Sequence, residues 1–304
     1  MKQSITRSTG IGASSKSKWL SALALAASVG LLAGCSAATE DPAPSDDKAA
    51  ANEYLALMPE SVRDSGKLIA GTTPTYRPYE FTAEDGKTIV GANVEVMEEI
   101  AKLMELELVW ETTAEYGSLI PGTQSGRYDA SIIFEDTKER QKVVDLVDFY
   151  ESGSVFLGPK GSADDPTVVC GSTVAVGTGN GPDLISGDIN EELCASKGLP
   201  DITFQNFANT DGQLVALSSE RVDFMFTNEA VVAVFVEDNP EFSARTPVYA
   251  KTPAGIAVPK GDGTAEAFKL ALETLLEDGT IQTIFEKWGL GSQPLDEVII
   301  NYQG

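Results

Sequence analysis

The apolar positions of this chain alternate between short contiguous runs and stripes at helical spacing. Lys67–Thr72 (KLIAGT) is a short apolar run ending at Gly71 and predicts a strand. Thr73–Glu80, with two prolines and two tyrosines, predicts a loop, and Asp85-Gly86 within Phe81–Ile89 is a hairpin turn signal. Asn93–Met104 carries Val96, Met97, Ile100, Ala101, Leu103 and Met104 on a broad helical face, with Asn93 placed to cap it. Glu107–Thr112 partly alternates as a strand does, Ser118–Gln124 reads as a short helix, and Ala130–Phe134 reads as a buried strand. Strand, helix, strand, helix, strand is the pattern of a mostly parallel sheet with covered faces.

The same outline returns further on. Val143–Leu157 is strand-like but broken at Glu151-Ser152-Gly153, and Lys160–Pro166 is a polar break that predicts a crossing. Thr173–Val176, Ile202–Phe207 and Val222–Thr227 read as strands, with helical material at Pro182–Ser196 and Asp211–Ser218. At Glu229–Val236 propensity favours a strand and topology a helix; topology decides. Gly255–Pro259 predicts the strand that brings the chain back. Thr264–Glu277 and Thr280–Trp288 predict two last helices, the first stopped by Gly279. Ser218–Asp223 (SSERVD) echoes Ser125–Asp129 (SGRYD). The fold class expected is therefore α/β: two similar lobes, each a mostly parallel sheet flanked by helices, joined by two hinge crossings into a clamshell. One lobe takes residues 62–158 plus 256–304, the other 159–255.

The amino terminus has a different character. Residues 1–18 are polar and basic, Trp19–Leu32 is apolar, and Ala33-Gly34-Cys35 follows. The run falls short of the ~20 apolar residues that cross a bilayer, so residues 1–34 read as an export signal. The ending Leu32-Ala33-Gly34-Cys35 resembles the lipobox of bacterial lipoproteins, which implies cleavage before Cys35 and lipidation of that cysteine; the alternative is an ordinary cleavage site with a chance Cys. Residues 35–61 begin with an Ala/Ser/Asp/Pro-rich stretch lacking periodicity and read as a flexible tether, with order resuming between 53 and 66.

Charge and chemistry narrow the function. A formal net charge of −24 over 304 residues argues against nucleic acid as a partner, because phosphate contacts need a basic face. Histidine is absent, which removes imidazole acid–base chemistry and His-ligated metals, and three cysteines are too few for Cys-rich zinc or iron–sulfur sites. Cys170 and Cys194 lie past the export signal, one before the strand at 173 and one ending the following helix, so a disulfide is expected; free buried cysteines or a redox pair are the alternatives, the latter without a C-x-x-C. Arg140, just past the strand Ala130–Phe134, stands where open α/β sheets bind ligands and is placed to hold an anion.

Several stretches, in order, resemble the polar-amino-acid solute-binding proteins of bacterial ABC importers, in their lipoprotein form: GKLIAGT (66–72), YRPYEF (76–81), GANVEV (91–96), SLIPGTQSGRYD (118–129), DTKERQKVVD (136–145), CGSTVAVGTG (170–179), 217–226 and 278–289. The resemblance spans Val62 to Gly289 and implies a periplasmic-binding-protein-like (type II) fold. It also implies a monomer, anchored by lipid at the outer face of the cell membrane, that captures an amino acid or derivative and delivers it to a membrane permease. Neither cofactor nor metal is implied, and no bond is made or broken. Arg140 resembles the arginine that pairs with a ligand α-carboxylate. Tyr76 and Tyr79 resemble aromatics flanking the ligand, and Tyr116 one that stacks on it. Thr178, Gly179, Asn180 and Gly181 resemble a second-lobe loop whose backbone meets the carboxylate, and Asn228 falls where many members have an ammonium-binding aspartate.

Four departures affect the ligand. Glu135 stands where a hydroxyl often meets the carboxylate; either it turns away, or pairs with Arg140, or meets a positive group on the ligand. Asn228 replaces the aspartate, Asn180-Gly181 replaces a Thr-Thr pair, and Arg77 interrupts a Pro-Pro. The aromatic set Tyr76, Tyr79, Tyr116 and Phe134 leaves room for a betaine-like alkylated ammonium. Two competing functions remain: a cleft enzyme of the cyclohexadienyl-dehydratase type using Glu135 and Glu229, and an extracellular sensor subunit.

Overall fold

The computed structural model describes residues 53–161 and 165–302. The expected signal segment, Cys35 and the tether up to residue 52 lie outside the described residues. From the amino-terminal side come helix α1 (Glu60–Ser65), strand β1 (Lys67–Thr72), the short strands β2 (Thr75–Tyr76), β3 (Glu80–Thr82) and β4 (Ile89–Val90), helix α2 (Ala92–Leu103), β5 (Glu107–Thr112), α3 (Leu119–Gln124), β6 (Ala130–Glu135) and the long β7 (Val144–Pro159). Then follow β8 (Thr173–Gly177), α4 (Gly181–Leu184), α5 (Ser186–Leu193), β9 (Thr203–Phe207), α6 (Thr210–Ser218), β10 (Phe224–Asn228), α7 (Glu229–Asp238), the long β11 (Phe242–Pro259), α8 (Thr264–Glu277), α9 (Thr280–Lys287) and β12 (Pro294–Ile300).

The duplication seen in the sequence is a duplication of topology. In the first lobe β1 lies between β5 and β6, all parallel; in the second β8 lies between β9 and β10, again all parallel. The SGRYD and SSERVD echoes have the same job in each lobe. The Asp129 carboxylate accepts from the backbone N–H of Ile69 at 2.8 Å, and Asp223 accepts from that of Thr173 at 2.8 Å. Each aspartate thus pins the start of a lobe's third parallel strand to its central strand.

The long antiparallel pair β7 and β11 joins the lobes. β7 is continuous through Glu151-Ser152-Gly153, because β11 pairs with it there, Pro253 opposite Glu151 and Thr252 opposite Ser152, so the break expected from composition does not occur. Its pairing with β10 starts at Ser154, so the chain has crossed before Lys160–Pro166. β11 is likewise longer than Gly255–Pro259, and its register shifts between Arg245 and Tyr249, Tyr249 and Thr252, and Ala254 and Gly255 mark where it bends between lobes. Glu229–Asp238 is the helix that topology required.

The first-lobe core packs Leu68, Ala70, Ile132, Val147 and Ile256 of the sheet against Met97 and Ile100 of α2, Phe268 and Leu272 of α8 and Phe285 of α9. Tyr54 and Met58 are buried in it, so order begins ahead of residue 62. Asn93 does not cap α2. Gly91 does, at φ +138°, where a Cβ would meet the carbonyl oxygen of Tyr79 at 2.2 Å. Only glycine tolerates both that backbone and that approach, and the contact fixes the Tyr79–Glu80 segment against the helix. In the second lobe the expected disulfide is present, Cys170 to Cys194 with a Cα separation of 5.6 Å.

Candidate functional site

A cavity lies between the lobes at the carboxyl ends of their parallel strands, where α/β sheets bind ligands. The first lobe contributes Thr73, Thr75, Tyr76, Glu80, Tyr116 and Glu135; the second contributes Gly177, Asn180, Ala208, Asn209, Thr210 and Gln213. Direct hydrogen bonds close the lobes on each other, among them Arg140 Nη2 to the Gly179 carbonyl at 2.7 Å, Tyr116 N to the Ala208 carbonyl at 3.3 Å, and Asn209 Nδ2 to the Ala114 carbonyl at 3.2 Å.

The cavity is rich in acceptors. Glu80, on β3, is 1% exposed, and its Oε2 has no hydrogen-bond partner among the described residues; the same holds for Thr73 Oγ1 and Gln213 Oε1. Burial pushes the Glu80 carboxyl well up from its ordinary value, with the Thr72 hydroxyl opposing. Burial, and then Glu135, push the Tyr76 phenol up, so it stays neutral. Orphaned buried acceptors call for donors on whatever fills the space.

Of the residues singled out in the sequence, Tyr76, Tyr116, Glu135 and Asn180 line this cavity, and Gly181 touches the Glu135 carboxylate. Arg140 stands behind Glu135. Its Nη1 donates to the Glu135 carbonyl at 2.6 Å and to Oε2 at 3.2 Å, and its guanidinium lies 5.2 Å from the Phe134 ring centroid. Phe134 is fully buried and supports the Tyr116 ring at 5.2 Å. Tyr79 is also fully buried, its hydroxyl donating to Gln293 Oε1 at 2.6 Å, so only two of the four aromatics reach the cavity and the alkylammonium box is not assembled. Asn228 is used at the hinge: Oδ1 accepts from Ala230 N at 2.8 Å, capping α7, and Nδ2 donates to Ser152 Oγ. Arg77 lies over the Phe81 ring at 4.1 Å and lines a separate outer groove, and Thr178 does not line the cavity.

The sequence reading missed Thr73, Thr75, Glu80, Asn209, Thr210 and Gln213. Glu80 was inside the quoted YRPYEF stretch, and the Asn209-Thr210-Asp211-Gly212 run carries a helix-cap signal: Asn209 Oδ1 accepts from Gly212 N at 3.0 Å. Among the described residues no group of three or more acids and cysteines is arranged to hold a metal ion, and no helix is long and apolar enough to cross a membrane.

Two duplicated α/β lobes closing on a small polar cavity define a solute-binding protein of the clamshell type. Residues 68–291 match the pattern of the bacterial extracellular solute-binding proteins, family 3, and the chain belongs to that family. It is 28% identical over 255 residues to the arginine-binding protein ArgT of Corynebacterium glutamicum, covering 83% of each chain. It is 26% identical over 236 residues to the glutamine-binding protein GlnH of an ABC transporter of Bacillus subtilis, covering 75% of this chain and 83% of that one. Among solved structures, an ancestral arginine-binding protein bound to arginine superimposes with a TM-score of 0.67 at 29% identity, covering 73% of this chain and 98% of that one. A mutant of the arginine-binding protein of T. maritima superimposes with a TM-score of 0.66 at 27% identity, covering 76% and 98%. The chain's work is capture of a solute, not catalysis.

Proposed function

We propose that this protein captures an amino acid with a cationic side chain, of the arginine type, and hands it to an ABC importer. The observation that carries the ligand class is that Glu80 and Glu135 line one cavity between the lobes. Glu135 is matched by Arg140, which leaves Glu80 as an uncompensated buried acid beside unpartnered acceptor oxygens. Burial favours the neutral form of Glu80 in the free protein, and a guanidinium or ammonium supplies both the charge that favours its ionised form and the donors for its oxygens. Tyr76 and Tyr116 offer faces against which such a cation packs. The arginine-binding relatives support this reading.

The lobes divide where β7 and β11 cross, near residues 151–154 and 249–254, which act as the hinges. The amino-terminal segment gives export, and lipid on Cys35 tethers a monomer to the outer face of the membrane. Calorimetric titration of the purified protein with L-arginine, L-lysine, L-glutamine and L-cystine tests the ligand class. Arginine or lysine should bind at least tenfold more tightly than glutamine; a neutral amino acid binding tightest overturns it.

A further inference from the structure

The cation paired with the cavity-lining Glu135, Arg140, is already in use. Its Nη1 donates to two oxygens of Glu135, the carbonyl at 2.6 Å and Oε2 at 3.2 Å, and its Nη2 donates across the cleft to the Gly179 carbonyl at 2.7 Å. Arginine and glutamate are 6% and 8% exposed, so neither charge is satisfied by solvent. A solute carboxylate taking the place of Glu135 on Nη1 would leave that glutamate buried without its partner.

The second lobe is shaped around this glutamate. A Cβ on Gly181 would sit 2.7 Å from Cδ of Glu135 and 2.9 and 3.0 Å from its two carboxylate oxygens. Gly181 does not have the positive φ that would by itself call for glycine, and it opens α4, where glycine is not a favoured residue. Its missing side chain is space taken by the Glu135 carboxylate when the lobes are shut. Among the unpartnered buried polar atoms of the cavity-lining residues, Glu80 Oε2 and Gln213 Oε1 offer acceptors to a cation, and the Thr73 hydroxyl can accept as well.

We propose that Glu135 is the resident carboxylate of the seat formed by Arg140 and Gly181, so that the solute is recognised through its cationic groups and needs no carboxylate of its own. The class of ligand widens accordingly to alkylguanidinium and amine cations, decarboxylated basic amino acids included. This rests on the cationic reading of the cavity and makes a separate claim about the anionic end of the solute.

Calorimetry with L-arginine and agmatine, which differ by the carboxylate, tests it on the purified protein. Agmatine should bind within tenfold of arginine. In Glu135→Ser, which frees Arg140, the preference should move toward arginine by at least tenfold. Gly181→Ala, which pushes the Glu135 carboxylate out of its seat in the closed form, should move it the same way and serves where the serine variant does not fold. Agmatine more than tenfold weaker than arginine in the wild type, or an unchanged ratio in the folded variants, overturns the proposal while leaving the cationic reading intact. Failure of both cations to bind overturns both.

Discussion

The carboxyl group of Asp148, wholly buried on β7, faces that of Asp136 at the end of β6. Asp136 accepts from Gln141 Nε2 at 2.8 Å and from the backbone N–H of Tyr302 at 2.6 Å, which ties the carboxyl-terminal residues to the base of the cleft. Burial, and then Asp136, push Asp148 up to about 9, so its carboxyl is protonated at neutral pH.

A group raised in the folded state contributes stability that is complete below its unfolded value near 4 and is lost as pH rises toward the folded value. Urea denaturation of the wild type should therefore show stability declining between about pH 5 and pH 9, by at most ~1.4 kcal/mol per pH unit from this group. Asp148→Asn, which removes the titrating group, should decline less. An identical slope in the two proteins would remove Asp148 as the source.

Glu80→Gln should weaken arginine binding by about 30-fold or more, roughly 2 kcal/mol, the ordinary cost of deleting one partner of a buried charge pair. Because burial raises Glu80 in the free protein and a bound cation favours its ionised form, wild-type affinity should fall as pH is lowered through the raised value. Titrations at several pH values check both points; a pH dependence that survives in the glutamine variant would assign it elsewhere.

Arg140→Ala should cost about 3–5 kcal/mol of stability, since it leaves Glu135 buried and unpaired. The same change in a Glu135→Gln background should cost markedly less. A thermal or chemical double-mutant cycle reads the difference, and additivity of the two changes would mean the pair is not coupled.

Reduction of Cys170–Cys194, or replacement of both by serine, should lower stability by roughly 3 kcal/mol, as closure of a loop with a sequence separation of 24 implies. The bond lies in the second lobe, away from the cavity-lining residues, so arginine affinity at low temperature should change little. Calorimetric melts with and without reductant measure the first effect, and titrations the second.

Much of this protein was legible in the order of its residues. Apolar spacing located both sets of parallel strands, the SGRYD and SSERVD echo announced the duplicated lobe, and the place of Cys170 and Cys194 gave the disulfide. These are local or repeating signals, and local pattern is what a linear chain carries openly. The course of β7 through Glu151-Ser152-Gly153 was not legible, because its partners lie about a hundred residues away on β11 and their hydrogen bonds override composition. Nor was the fate of the polar side chains. Arg140 lies beside the cleft, but nothing in the linear order of residues says that its Nη1 pairs with Glu135, whose carboxylate packs against Gly181 of the other lobe. Tyr79 and Asn228 carry the right chemistry for a ligand but spend it on Gln293 and on the start of α7. Sequence determined which groups reach the ends of the strands; only tertiary packing decided which were still free to bind, because a hydrogen-bonding group is committed by whatever neighbour the fold brings within 3 Å.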